Sequence, residues 1–188
     1  SGSVIQAGQG FFVFPDYNGR TFTFVPGSSG MQTHNTAAEL KSASTPWPGL
    51  ALKVKSGQTE KSVTVVYNEK MNTGLDPGYD VGHLAAGSEL EIYTALVKDN
   101  GINFARQALP LEGSGKNTVP VGVDSEKGGE VTFSAFLNPI GNGTFYLEDR
   151  SMGVTTDLSK NQYTITLPPN TSGTGRFFIH ASNTDYRL

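Results

Sequence analysis

Apolar and polar residues alternate with a period of two along much of this chain. Leu50, Leu52 and Val54 alternate with Ala51, Lys53 and Lys55; after Ser56-Gly-Gln-Thr-Glu60 the chain returns as Val63, Val65 and Tyr67 against Ser62, Thr64 and Val66. Successive side chains of an extended strand point to opposite faces, so this pattern predicts a hairpin with one wet face. Val131, Phe133, Ala135 and Leu137, then Tyr163, Ile165 and Leu167, repeat the signal. Further short strands are predicted over 118–122, 130–137, 143–149, 162–167 and 175–181, separated by Gly, Asn, Pro and Ser turns. Strands at this spacing without helices between them predict antiparallel sheets packed as a β-sandwich.

The N-terminal part carries its own hairpin. Gly10 to Phe14 and Arg20 to Val25 flank Pro15-Asp-Tyr-Asn-Gly19, whose Asn18-Gly19 suits a tight turn. Phe11, Phe12, Val13 and Phe14 load both faces of the first strand, so a further layer must cover it. Met31 to Ser44 reads equally as a short helix or an extended strand. Leu90 to Arg106 is also open: Ser88-Glu-Leu-Glu91 has the spacing of a capping box, while the same residues alternate as a strand leading to Asp99-Asn100-Gly101.

Composition narrows the class. At 188 residues the chain can bury roughly 70% of its unfolded surface and needs no staples. Cysteine is absent, so neither disulfides nor thiolate metal sites arise. A net charge of -3, with acids and bases interspersed, lacks the basic footprint of a nucleic-acid binder. No apolar run reaches the ~18 residues of a membrane span. With 23 Gly, 10 Pro, 11 Phe and 7 Tyr against a single Trp, the composition suits a turn-rich all-β domain.

Chemistry concentrates in Met71 to Ala86, where the periodicity breaks and Asp76, Tyr79, Asp80 and His83 fall together. Two carboxylates four residues apart in a loop bent by Gly74, Pro77, Gly78 and Gly82 could chelate a hard cation such as Ca²⁺. The alternative is that Asp76 and Asp80 accept from backbone N–H groups of their own turns. Trp47, clipped between Pro46 and Pro48, is either a plug over the core or a platform for a sugar ring, with Tyr79 and His83 as further ligand-binding candidates. His34, His83 and His180 stand far apart in sequence, and the nucleophile elbow, the zinc-protease helix motif and the phosphate-binding loop are absent, so no catalytic residues are expected.

Taken in order, several phrases resemble an accessory module of secreted multidomain Bacteroidetes proteins, found upstream of the type IX secretion sorting domain. They are Gln6 to Val13, Met31 to His34, Gly74 to Asp80, Leu90 to Tyr93, Gln107 to Pro110, Val119 to Gly122, Tyr146 to Asp149, Thr156 to Leu158, Tyr163-Thr164 and Arg176 to His180. The chain departs from the family in having Gly82-His83 where a lysine is common, and in lacking the family's usual first strand. The resemblance implies a β-sandwich module on an exported protein with no catalytic residues to carry over. It also implies a hairpin for Leu90 to Arg106.

The expectation is therefore an all-β, antiparallel, jelly-roll-like β-sandwich. Residues 1–30 would form an N-terminal hairpin segment, the remnant of a larger upstream unit, and residues 31–188 the sandwich module. Its expected role is non-catalytic and structural, on a secreted or outer-surface protein, with neighbouring domains of the same polypeptide as partners. The alternative is a carbohydrate-binding or adhesive module that meets polysaccharide through Trp47, Tyr79 and His83, with Ca²⁺ held by Asp76 and Asp80.

Overall fold

The fold is taken from a computed structural model that describes residues 47–85, 87–98, 101–110, 117–138 and 143–182. All of these lie in one compact unit, Thr45–Leu188. The N-terminal hairpin, Met31 to Ser44, His34 and the expected boundary at residue 30 lie outside the described residues.

Among the described residues there is no helix, and the all-β expectation holds. Eleven strands follow one another: β1 (Gly49–Ser56), β2 (Thr59–Tyr67), β3 (Val81–Gly82), β4 (Leu90–Thr94), β5 (Phe104–Leu109), β6 (Asn117–Ser125), β7 (Gly129–Asn138), β8 (Thr144–Asp149), β9 (Val154–Asp157), β10 (Tyr163–Leu167) and β11 (Phe177–Ser182). They form one continuous sheet in the order β10-β7-β1-β2-β5-β4-β6-β11-β8-β9, with β3 added to β5.

The sheet folds over on itself, between a sandwich and a barrel. β10, β7, β1, β2 and β5 make one layer, and β4, β6, β11, β8 and β9 the other. Only Thr94↔Phe104 pairs β4 with β5 and joins the two. Leu50, Leu52, Val54, Val63, Val65, Val131 and Phe133 from the first layer meet Ile92, Val119, Val121, Phe145, Leu147, Phe177 and Ile179 from the second in a single core. Phe133 lies 4.9 Å from Phe177, and Tyr67 6.0 Å from Phe145, ring centre to ring centre across the layers.

The β1–β2 hairpin forms as its alternation predicts, in full register from Gly49↔Val66 to Ser56↔Thr59. Gly49 is obligatory there, because a Cβ would collide with the Val65 carbonyl. Two features differ from expectation. β2 and β5 run parallel, the exception in an otherwise antiparallel sheet. Leu90 to Thr94 and Phe104 to Leu109 are strands, but they share one residue pair rather than a hairpin ladder, because β4 takes its register from β6 (Leu90↔Ser125 to Thr94↔Val121) and β5 takes its own from β2. All five residues of β4 are buried. Leu90 and Ile92 enter the core, while Tyr93 on the other face occupies the space over Gly122, where a Cβ would strike its ring.

The edge strand β10 is tied by side chains to β8, the strand next to the opposite edge. Asp149, at the end of β8, is fully buried. Arg176 donates to it from Nε (3.0 Å to Oδ1) and Nη2 (2.8 Å to Oδ2), Tyr163 of β10 donates its hydroxyl (2.9 Å), and the Ser151 and Met152 N–H groups cap Oδ1. Burial opposes the charge, yet the bonds from Arg176 and then Tyr163 outweigh it and hold Asp149 below the ordinary aspartate range. Burial and the carboxylate together push the Tyr163 phenol up to about 12.

A depressed folded-state pKa contributes stability that is complete above the unfolded value of about 3.9 and is lost as the pH falls through the lower folded value. Asp149→Asn should therefore cost about 3 kcal/mol at neutral pH, since it leaves Arg176 without its buried partner. The gap between variant and wild type should shrink below about pH 4. Urea unfolding at pH 7 and pH 3 checks both statements.

Candidate functional site

The central loop is built on a tight turn. Asp76-Pro77-Gly78-Tyr79 has proline second and a glycine with φ of 88° third, and the Asp76 carbonyl accepts from Tyr79 N (3.1 Å) and Asp80 N (2.9 Å). This is the arrangement of a type II turn, and it fixes the backbone under Tyr79. Beyond it, β3 pairs with β5 (Val81↔Arg106, Gly82↔Phe104), and His83 N donates to the Asn103 carbonyl at 2.7 Å.

The two candidate carboxylates hold this loop in place. Asp76, only 7% exposed, accepts from Asn72 N at Oδ2 (2.7 Å) and from Asn72 Nδ2 at Oδ1 (2.8 Å). Asp80 accepts from Asp76 N at Oδ2 and from Ala108 N of β5 at Oδ1, both 2.7 Å. All four oxygens thus take N–H donors from the fold itself, the turn-organising arrangement weighed above. Burial raises the pKa of Asp80, partly offset by the N–H groups of Ala108 and Asp76. Among the described residues no three His, Asp or Glu side chains gather as a metal site.

The structure brings Trp47 and Tyr79 together. Their rings stack with centroids 5.4 Å apart and 23° between planes, and the Arg106 guanidinium stands 6.0 Å from the Trp47 ring centre. The Trp47 carbonyl accepts from Asn138 Nδ2 at 2.9 Å. Trp47 is half-buried, whereas Tyr79 at the turn tip is 45% exposed. Both line an open groove of about 640 Å³ with Asn68, Glu69, Lys70, Met71, Asp76 and Pro77. Trp47 is thus partly plug and partly rim. Asp76 lines the groove with its oxygens already engaged; Asp80 sits behind it against β5.

His83 goes elsewhere. Its ring stacks on Tyr93 at 5.4 Å, and its buried Nε2, which has no hydrogen-bond partner, lies 3.6 Å from Glu91 Oε2. Ser88 donates to the other Glu91 oxygen at 2.7 Å, and Lys61 stands 3.5 Å from it. This polar cluster covers the outer side of β4 and does not line the groove.

Sequence reasoning missed a second histidine cluster. His180 of β11 lies between Glu148 of β8 (Nε2 to Oε2, 2.8 Å) and Thr118 of β6 (Nδ1 to Oγ1, 3.3 Å), and Arg150 donates to the same Glu148 oxygen (3.2 Å). The registers His180↔Thr118 and Phe178↔Glu148 place these groups on the sheet face opposite the core residue Ile179. Burial opposes the Glu148 charge, but His180 and then Arg150 lower its pKa. Each residue falls within a phrase quoted above or beside one, but only strand pairing joins them.

Comparison with family models, with curated proteins and with solved structures finds no match.

Two measurements follow from the loop. A carboxyl-carbon NMR titration should place Asp80 above the ordinary aspartate value and Asp149 below it, so that ionising Asp80 removes stability as the pH rises through its midpoint while Asp149 acts with the opposite sign. Millimolar Ca²⁺ and then EDTA should leave the melting temperature unchanged. A rise reversed by EDTA and lost in Asp76→Asn would mean that a cation displaces the Asn72 donors.

Proposed function

We propose that this domain is a non-catalytic accessory module of a secreted or surface-held multidomain protein exported by type IX secretion, and that it spaces and braces its neighbours in the same polypeptide. The observation that carries this reading is the commitment of the candidate chemistry to architecture. Asp76 and Asp80 bind the fold's own N–H groups, Asp149 ties β8 to β10, and His83 and His180 sit within cross-strand polar clusters. The ordered run of phrases shared with the secreted Bacteroidetes module points to the export route.

A second reading, binding of a carbohydrate at the central loop, is favoured by one observation: the stacked Trp47–Tyr79 pair at the rim of an open, polar-lined groove. Aromatic faces beside hydrogen-bonding groups suit the apolar faces and hydroxyls of a sugar ring.

Removal of residues 45–188 from the parent chain should leave the chemical activity of the neighbouring domains intact while making their junction more sensitive to limited proteolysis. Loss of that activity, with the neighbours still folded, would turn the reading towards a direct part in the chemistry.

A further inference from the structure

We infer that Tyr79, with Trp47 as its positioning residue, is the stacking platform of the groove and that the groove takes a neutral glycan chain. This rests on the carbohydrate reading above and names the residue and ligand class within it.

Access and order both favour Tyr79. The indole of Trp47 is half-buried, stacked against Tyr79, approached by Arg106 and anchored at its own carbonyl by Asn138. Tyr79 keeps 45% of its surface in solvent, yet its backbone is locked by the Asp76 carbonyl and its ring by Trp47. An exposed ring held in place before the ligand arrives loses little conformational freedom on binding.

Charge and shape set the class. The two exposed charges on the lining, Glu69 and Lys70, are of opposite sign, and Asp76 already has an N–H donor on each oxygen. The groove therefore carries no excess of positive charge to select an anionic chain. Glu69 and Lys70 offer acceptor and donor groups side by side, which is what hydroxyls require, since each can both give and take a hydrogen bond. The groove is open rather than enclosed, so it suits a chain that runs through it more than a compact ligand needing burial on all sides.

The test uses the whole chain in native gels containing β-glucan, xylan or mannan as neutral polymers and polygalacturonate as an acidic one, with Trp47, the only tryptophan, as a fluorescence probe. At least one neutral polymer should retard the protein and perturb Trp47 emission. Tyr79→Ala should weaken that binding about tenfold, whereas Tyr79→Phe, which keeps the ring, should bind as wild type. Trp47→Phe should fall between them. Tyr79→Ala binding normally while Trp47→Phe fails would overturn the platform assignment and leave the carbohydrate reading standing. Retardation by polygalacturonate alone would overturn the neutral class. If no polymer retards the wild type, the carbohydrate reading itself fails, and this inference with it.

Discussion

The described domain depends on bringing together strands that lie far apart in its sheet. In this folded-over sheet β10 and β8 are far apart in sheet order, and among the described residues no backbone ladder joins them. Asp149 supplies the join through Arg176 and the Tyr163 hydroxyl, and Phe133 packs beneath it against both Tyr163 and Phe177. A buried carboxylate in such a place is costly unless every oxygen is satisfied, and here each one is. Polar seam and aromatic floor therefore lie one against the other, with the Arg176 guanidinium 4.8 Å from the Phe177 ring centre.

Aspartate does the same work elsewhere in the chain. Asp80 staples the central loop to β5, Asp76 closes the loop on Asn72, and Asp157 caps the turn after β9 through Ser159 N at 2.9 Å. Each places a short carboxylate where a turn leaves N–H groups without partners. Among the described residues turns are thus ordered by side chains rather than by helices or cross-links, and the turn that also presents an exposed aromatic ring is the one bordering the groove.

Much of the scaffold was legible because period-two burial leaves its mark directly on the residues, as at Leu50 to Tyr67 and Val131 to Leu137. β9 was missed because all of Val154 to Asp157 is exposed or half-buried and shows no alternation. β3 is two residues long and exists through its pairing with β5. The parallel pairing of β2 with β5 had no local signal at all, since orientation belongs to the partner strand. Leu90 to Thr94 read as either helix or strand because Glu91 and Tyr93 are covered on the outer face as fully as Leu90 and Ile92 are on the inner. At the loop, the turn could be read from Asp-Pro-Gly, but the Trp47–Tyr79 stack could not. It arises because β3 and β5 carry the loop back to the start of β1, and the same path turns His83 away towards Tyr93.

The sheet order also dictates a timetable. β1 and β2 are neighbours in sequence and can pair at once, yet the strand beside β1 is β7, with Leu50 opposite Leu137, and the strand beside β2 is β5. A chain that emerges from its N-terminus must therefore carry a hairpin that waits about forty residues past Tyr67 for β5 and about seventy for the whole of β7, and contacts so distant in sequence assemble slowly. During that interval Val63, Val65 and Tyr67 face water, and Lys53, Lys55, Glu60 and Lys61, clustered on the same hairpin, are the charges that keep one nascent copy from adhering to the next.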